Sequence, residues 1–231
     1  SVAKGKYAEA LRLKSGVSLQ ALEPDTILTE QVTAEQVENC TIEGFTLLGG
    51  REDSHFAIWA ESANLIIRKN AILNWHHAIT LSTSKGLVEQ NTISGSYRAG
   101  ASTGVDVFSC KDVHIVNNEI IDNEGTAVII TDARGDIFVS GNLIARNTGN
   151  GIECVNATPK VKIQKNRITE NEVGLSIVSG EPDIGTTSDA GQNTIHSNKR
   201  MEITNSGAKA ILAQQNYWGT PKGPDPKRFE G

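Results

Sequence analysis

The feature that most constrains this chain is an asparagine that recurs behind short β-branched runs. It stands three residues after Ile or Val and two before Ile, Leu or Trp. Instances are Ile67-Arg68-Lys69-Asn70-Ala71-Ile72, Val88-Glu89-Gln90-Asn91-Thr92-Ile93 and Ile115-Val116-Asn117-Asn118-Glu119-Ile120. Val139-Ser140-Gly141-Asn142-Leu143-Ile144 and Ile163-Gln164-Lys165-Asn166-Arg167-Ile168 follow. Asn193-Thr194-Ile195 is a weaker copy, and Ala213-Gln214-Gln215-Asn216-Tyr217-Trp218 is the last. Successive asparagines lie 21, 27, 24, 24, 27 and 23 residues apart. Phe45 takes the same place in Ile42-Glu43-Gly44-Phe45-Thr46-Leu47, and a second asparagine follows five residues on at Asn123, Asn147, Asn171 and Asn198. A repeat of this length marks a solenoid, whose units bury their apolar faces only by stacking.

One unit reads Gly151–Val155, Val161–Gln164 and Arg167–Thr169, which is three strands and three turns. Alternation predicts Ile152, Cys154, Val161, Ile163 and Ile168 inward, with Glu153, Lys162 and Gln164 outward. No 3.6-residue period runs through the region. A tight bend favours a residue tolerant of the left-handed region, and stacked coils about 4.8 Å apart let amides bond in a ladder. The asparagines are therefore assigned to structure. The expected architecture is an all-β, right-handed parallel β-helix, one domain over 1–231, with about eight to nine coils of three strands. Residues 1–20 form the opening coil and 217–231 a C-terminal cap and tail. Trp218, in the slot of Ile144 and Ile168, is expected to plug the last coil before Pro221, Pro224 and Pro226 break the pattern.

Composition narrows the function classes. With 22 basic and 27 acidic residues the net charge is −5, which argues against a general nucleic-acid footprint. No apolar run approaches the roughly 20 residues of a membrane span. The first residues show no signal-peptide pattern and already read as strand, so a removed leader or trimmed segment is expected before them. Cys40, Cys110 and Cys154 match no metal or redox spacing and read as buried thiols.

The repeats resemble the pectin-lyase-like superfamily of parallel β-helix proteins, from about Ala8 to Gly219. Gly5–Val17 looks like the opening coils of bacterial members, and Asn216-Tyr217-Trp218-Gly219 like a frequent last-coil ending. The resemblance implies a secreted or periplasmic protein. It includes lyases, hydrolases, epimerases, esterases and non-catalytic proteins, so it leaves activity open. No Asp-Pro-His-Asp element like that of mannuronan epimerases is present, nor the clustered aspartates of polygalacturonases.

In such relatives substrate grooves run along the first-strand face, and the resemblance directs attention there. Aligning inward Ile58, Ile79, Val105, Val128, Ile152, Leu175 and Met201 gives an outward column of Trp59, Thr80, Asp106, Ile129, Glu153, Ser176 and Glu202. The next outward column is Glu61, Ser82, Phe108, Thr131, Val155, Val178 and Thr204. Extra loop residues precede this face at 49–55, 74–77 and 97–102. Asp106, His77 and Arg98 are the candidate catalytic residues. Trp59, Trp75, His76, Thr80, Tyr97, Phe108 and Glu153 are candidates for binding a polysaccharide, since aromatic faces stack on sugar rings. Asp106 and Glu153, two coils apart, lie about 9–10 Å from one another on this register. Ile129 separates them, which favours solvated surface acids. Adjacent His76 and His77 face opposite ways on a strand, so both serve one site only where the turn permits it, and a metal pair is not favoured. No metal is assigned and no cofactor is required. Calcium is left open and would need Glu52, Asp53, Glu61 and Asp106 together. Ser62, Thr83, Ser109, Asp132, Asn156, Ser179 and Asn205 read as turn caps, and 181–191 as an insertion that edges the groove at its far end or, the favoured reading, forms a mobile surface loop. The expectation is a monomeric carbohydrate-active β-helix, as lyase or hydrolase if catalytic, with a non-catalytic binding or scaffold module as the alternative.

Overall fold

The computed structural model describes residues 1–50, 55–97 and 102–231. Short strands follow one another into three parallel sheets of nine, ten and seven strands, and the chain winds as a right-handed β-helix of about nine turns. The ten-stranded sheet carries the first strand of each coil. Ile152, Cys154, Val161, Ile163 and Ile168 are all fully buried, as alternation predicts. Register is strict: Ile58, Ile79, Val105, Val128, Ile152 and Leu175 pair in succession along one column.

The asparagines do what their burial requires. Asn142 donates its backbone N–H (3.0 Å) and Nδ2 (2.9 Å) to Oδ1 of Asn166 in the next coil. The Nδ2 group also donates to the Ile115 carbonyl at 2.8 Å, so both its protons are used. The arrangement repeats from Asn70 to Asn216, and the column opens where the Phe45 N–H donates to Asn70 Oδ1. Left-handed backbone falls one residue before the expected position. Lys69, Gln90, Asn117, Lys165, Gln192 and Gln215 have φ of 51–59°, and Gly141 has 70°. The turn residue bends the chain outward in solvent, and the asparagine after it tucks its amide into the corner. The predicted turn caps Ser62, Thr83, Ser109, Asp132 and Asn156 do take positive φ themselves.

Three readings change. Trp75 is 3 % exposed and stands in the corner that Ser96, Asn123, Asn147, Asn171 and Asn198 occupy in later coils, so it is core rather than a sugar platform. Leu175 and Ser176 pair with Ile203 and Thr204, so Met201 and Glu202 are displaced two residues from the assigned columns. Glu202 points inward, where its carboxylate receives the last amide of the second column, Asn198 Nδ2, at 2.5 Å. The 181–191 segment is not loose. Ile184 is fully buried, and Lys162 and Gln164 both bond Asp189, which holds the segment over the edge strand Val161–Gln164.

The C-terminal end is closed by pieces that periodicity does not reveal. A 3-10 turn at Pro226–Arg228 leads into the strand Phe229–Glu230, which pairs with Met201–Asn205. Trp218 packs against the core with its ring edge-on to Phe229, centroids 4.9 Å apart. This agrees with the plug expected there.

Candidate functional site

The outer face of the ten-stranded sheet is set by a double inward step. In the strands Phe56–Glu61, His77–Ser82, Thr103–Phe108 and Thr126–Thr131, the second and third residues are all buried. A Cβ added at Gly104 would stand 2.8 Å from Ile120 Cγ2, which shows that this position looks into the core. The first and fourth residues of each strand therefore both face out. Phe56, His77, Thr103 and Thr126 form one outward column, and Trp59, Thr80, Asp106, Ile129 and Glu153 form the next in register.

An aromatic and imidazole cluster covers the N-terminal end. His77 stacks on Phe56 with centroids 5.1 Å apart and planes at 17°, and Phe56 meets Trp59 edge-on at 4.9 Å. His76 lies 4.2 Å from His77, 6.0 Å from His55 and 6.4 Å from Tyr97. The two adjacent histidines thus come together, contrary to strand alternation, because His76 belongs to the turn and the strand starts at His77. Burial, then the charges of His76 and His55, push His77 down to about 4, so it is neutral at neutral pH.

Asp106 lies on the second outward column, between Thr80 and Ile129. Burial pushes its carboxyl up to about 6, and no described residue pairs with it by a hydrogen bond or an ion pair. The Thr80 hydroxyl is buried and, like His77 Nδ1, has no hydrogen-bond partner among the described residues. His77 is paired with Thr103, three residues along the strand from Asp106, so roughly 10 Å separates the two. Glu153 is two strands away beyond Ile129, and Asn150 Nδ2 donates to it at 2.6 Å. Phe108, 45 % exposed, offers an open ring on the next column. Arg98, Glu52 and Asp53 lie outside the described residues. Sequence reasoning missed Phe56, His55 and Thr103. The three-residue spacing of Phe56 from Trp59 is the signal, but only once the double inward step is known. A cavity of about 440 Å³ lies elsewhere, under the C-terminal cap between Ile203, Ile211 and Phe229.

The family profile described as "NosD: Periplasmic copper-binding protein (NosD)" matches residues 15–226. The chain belongs to the NosD family. A periplasmic place for NosD agrees with the secreted or periplasmic expectation. The chain is also similar to the A-module of the Azotobacter vinelandii mannuronan C-5 epimerase AlgE4. The TM-score is 0.52 at 15 % identity, covering 88 % of this chain and 71 % of that one, which shows a shared fold. No curated protein sequence matches it. No helix among the described residues is long and apolar enough to cross a membrane.

The family description raises copper, and the donors can be tested against it. Copper favours thiolate, thioether or imidazole ligands converging on a point. Cys40, Cys110 and Cys154 are all buried, and burial pushes the thiols of Cys110 and Cys154 up to about 11 and about 12, far from thiolate at neutral pH. Among the described residues no three His, Cys, Asp or Glu side chains gather so as to hold an ion. As arranged, these residues do not fit a copper centre. Glu61 sits on the next outward column, beside Ser82, and forms no such group with Asp106, so calcium gains no support.

Proposed function

We propose that this NosD-family chain binds a polysaccharide along the outer face of its ten-stranded sheet, centred on Asp106. The observation that carries the reading is the carboxyl itself. It is half-buried, with its pKa pushed up to about 6 by burial; beside it in register lies the buried Thr80 hydroxyl, without a partner among the described residues, and Trp59 stands one strand further along the same column. A buried polar group without a partner is costly and is kept where a ligand or water completes it. Trp59, Phe56 and Phe108 offer ring faces or edges to pyranose C–H groups, and a carboxyl near its midpoint at pH 6 accepts or donates hydrogen bonds to hydroxyls. If chemistry follows binding, Asp106 is the acid or base, since its proton is exchangeable close to working pH.

A non-catalytic binding module is the second reading. The gap of roughly 10 Å between His77 and Asp106, and aliphatic Ile129 beside Asp106, favour it.

The test is a panel of neutral and acidic polysaccharides, read by calorimetry and by release of unsaturated or reducing-end products. Wild type is expected to bind at least one, and Asp106→Ala to bind it at least tenfold more weakly. New chain ends that vanish in Asp106→Asn select the enzyme, and binding without products selects the module. No binding by wild type to any member sinks the proposal.

A further inference from the structure

The seven-stranded sheet carries half-buried apolar side chains on its outer face. Its outward column runs Thr41, Ile66, Leu87, His114, Phe138 and Lys162, each residue paired with the next. The middle of that column is apolar or aromatic, with the His114 and Phe138 rings 4.8 Å apart. A shallow, widely open depression of about 390 Å³ lies on this face, lined by Ile66 and Leu87 with Asn64, Lys85, Asp112 and His114. Gly86 also lines it. Gly86 has φ 153°, and a Cβ there would stand 2.1 Å from the Leu65 carbonyl oxygen, so only glycine fits against the neighbouring strand here.

The polar rim has spare capacity. Elsewhere on this sheet Arg68 bonds Glu43 at 2.9 Å, and Lys162 bonds Asp189. The Asn64 amide, the Lys85 ammonium and the Asp112 carboxylate bond no described residue, although they share one cavity. Lys85 and Asp112 carry opposite charges, so the rim has no net charge to draw an ion. An aliphatic floor, a ring at one side and uncommitted donors and acceptors at the edge match the amphipathic faces of a pyranose.

We propose that this cleft is a second carbohydrate subsite, for one or two neutral sugar rings. Its ligand class rests on the polysaccharide reading of the Asp106 face, and its location is independent of that face. The same three coils carry both. Phe56–Glu61, His77–Ser82 and Thr103–Phe108 lead directly into Asn64–Arg68, Lys85–Glu89 and Val113–Val116, across the corner at Ser62, Thr83 and Ser109. The rings pack on Ile66 and Leu87, while Asp112 and Asn64 bond hydroxyls.

Saturation-transfer NMR and calorimetry with neutral gluco-, manno- and xylo-oligosaccharides test this on four proteins: wild type, Asp106→Ala, Asn64→Ala with Asp112→Asn, and Leu87→Thr. Asparagine keeps the left-handed backbone that Asp112 adopts (φ 57°), and circular dichroism checks each fold. Asp106→Ala is expected to retain binding of one oligosaccharide class, which the double variant and Leu87→Thr each weaken at least tenfold. Binding lost only in Asp106→Ala overturns the second subsite and leaves the first face standing. Binding lost only in the Asn64, Asp112 and Leu87 variants upholds the second subsite and removes the first. No binding by wild type removes both.

Discussion

Asn198 hands the last amide of its column to Glu202, whose other carboxylate oxygen receives Arg228 at 3.0 Å. Arg228 also donates to the Asn198 and Arg200 carbonyls, so one guanidinium from the C-terminal turn ties off three acceptors of the final coils. Glu202→Ala leaves the Asn198 donors and Arg228 without their partner. Glu202 is buried but Arg228 is 31 % exposed, so the loss is set by the charged hydrogen bonds, about 2–3 kcal/mol. At roughly 2–4 °C per kcal/mol for a chain of this size, calorimetry should show Tm lowered by roughly 4 °C or more. Glu202→Gln, which keeps an acceptor, should cost clearly less. Equal losses would mean that the carboxylate is not what closes the column.

Position along the first column should grade the cost of losing an amide. Asn142 sits mid-column, buried and bonded on both sides, whereas Asn216 ends it and is only half-buried. Asn142→Ala orphans the donors of Asn118 and should cost about 2–4 kcal/mol in chemical denaturation, since each buried unsatisfied group costs about 1–3. Asn216→Ala should cost less than half as much. A solenoid unfolds by neighbouring units, so hydrogen exchange should rise first in the coils beside the substitution.

Asp106 and His77 should bend stability against pH in opposite senses. Asp106 has a folded pKa raised to about 6 from 3.8, so the folded state holds its proton longer, and stability falls as pH rises from about 4 to 6. His77 has a folded pKa lowered to about 4 from 6.5, so the unfolded state binds the extra proton. Its contribution is complete above 6.5 and is lost as pH falls toward 4. Wild type should therefore show a shallow profile between pH 4 and 6.5. Asp106→Asn should expose a rise with pH, and His77→Gln a fall. Denaturation series at several pH values check this, and parallel profiles for the two variants would refute the assignment.

Buried thiols should be silent. None of Cys40, Cys110 and Cys154 should react with an aromatic disulfide reagent in the native protein, and all three should react once it is unfolded. Rapid native reaction at Cys110 or Cys154 would contradict the burial that raises their pKa.

Much of the fold was legible because a coil repeats its chemistry. The step from Ile163 to Asn166 to Ile168 states two inward strands and a corner, and coils on either side repeat it. The failures lie where the repeat is broken by a single local exchange. Trp75 replaces the corner asparagine of later coils, so its aromatic character pointed outward while its position pointed in. Glu202 was misplaced because two extra residues in the last turn shift the register, and an acid in a buried corner is explained only by Arg228, 26 positions away. His76 and His77 were separated by alternation, a rule that does not hold across the turn where the strand begins. Asp106 was legible as outward. Its raised pKa was not, since that depends on what covers it.

A crystal structure with the oligosaccharide that the binding panel selects would show whether Asp106 meets sugar. Sugar rings are expected over Trp59, Thr80 and Asp106, with a hydroxyl within about 3 Å of the Asp106 carboxyl. Rings bound only on another face, with Asp106 left bare, would contradict the account.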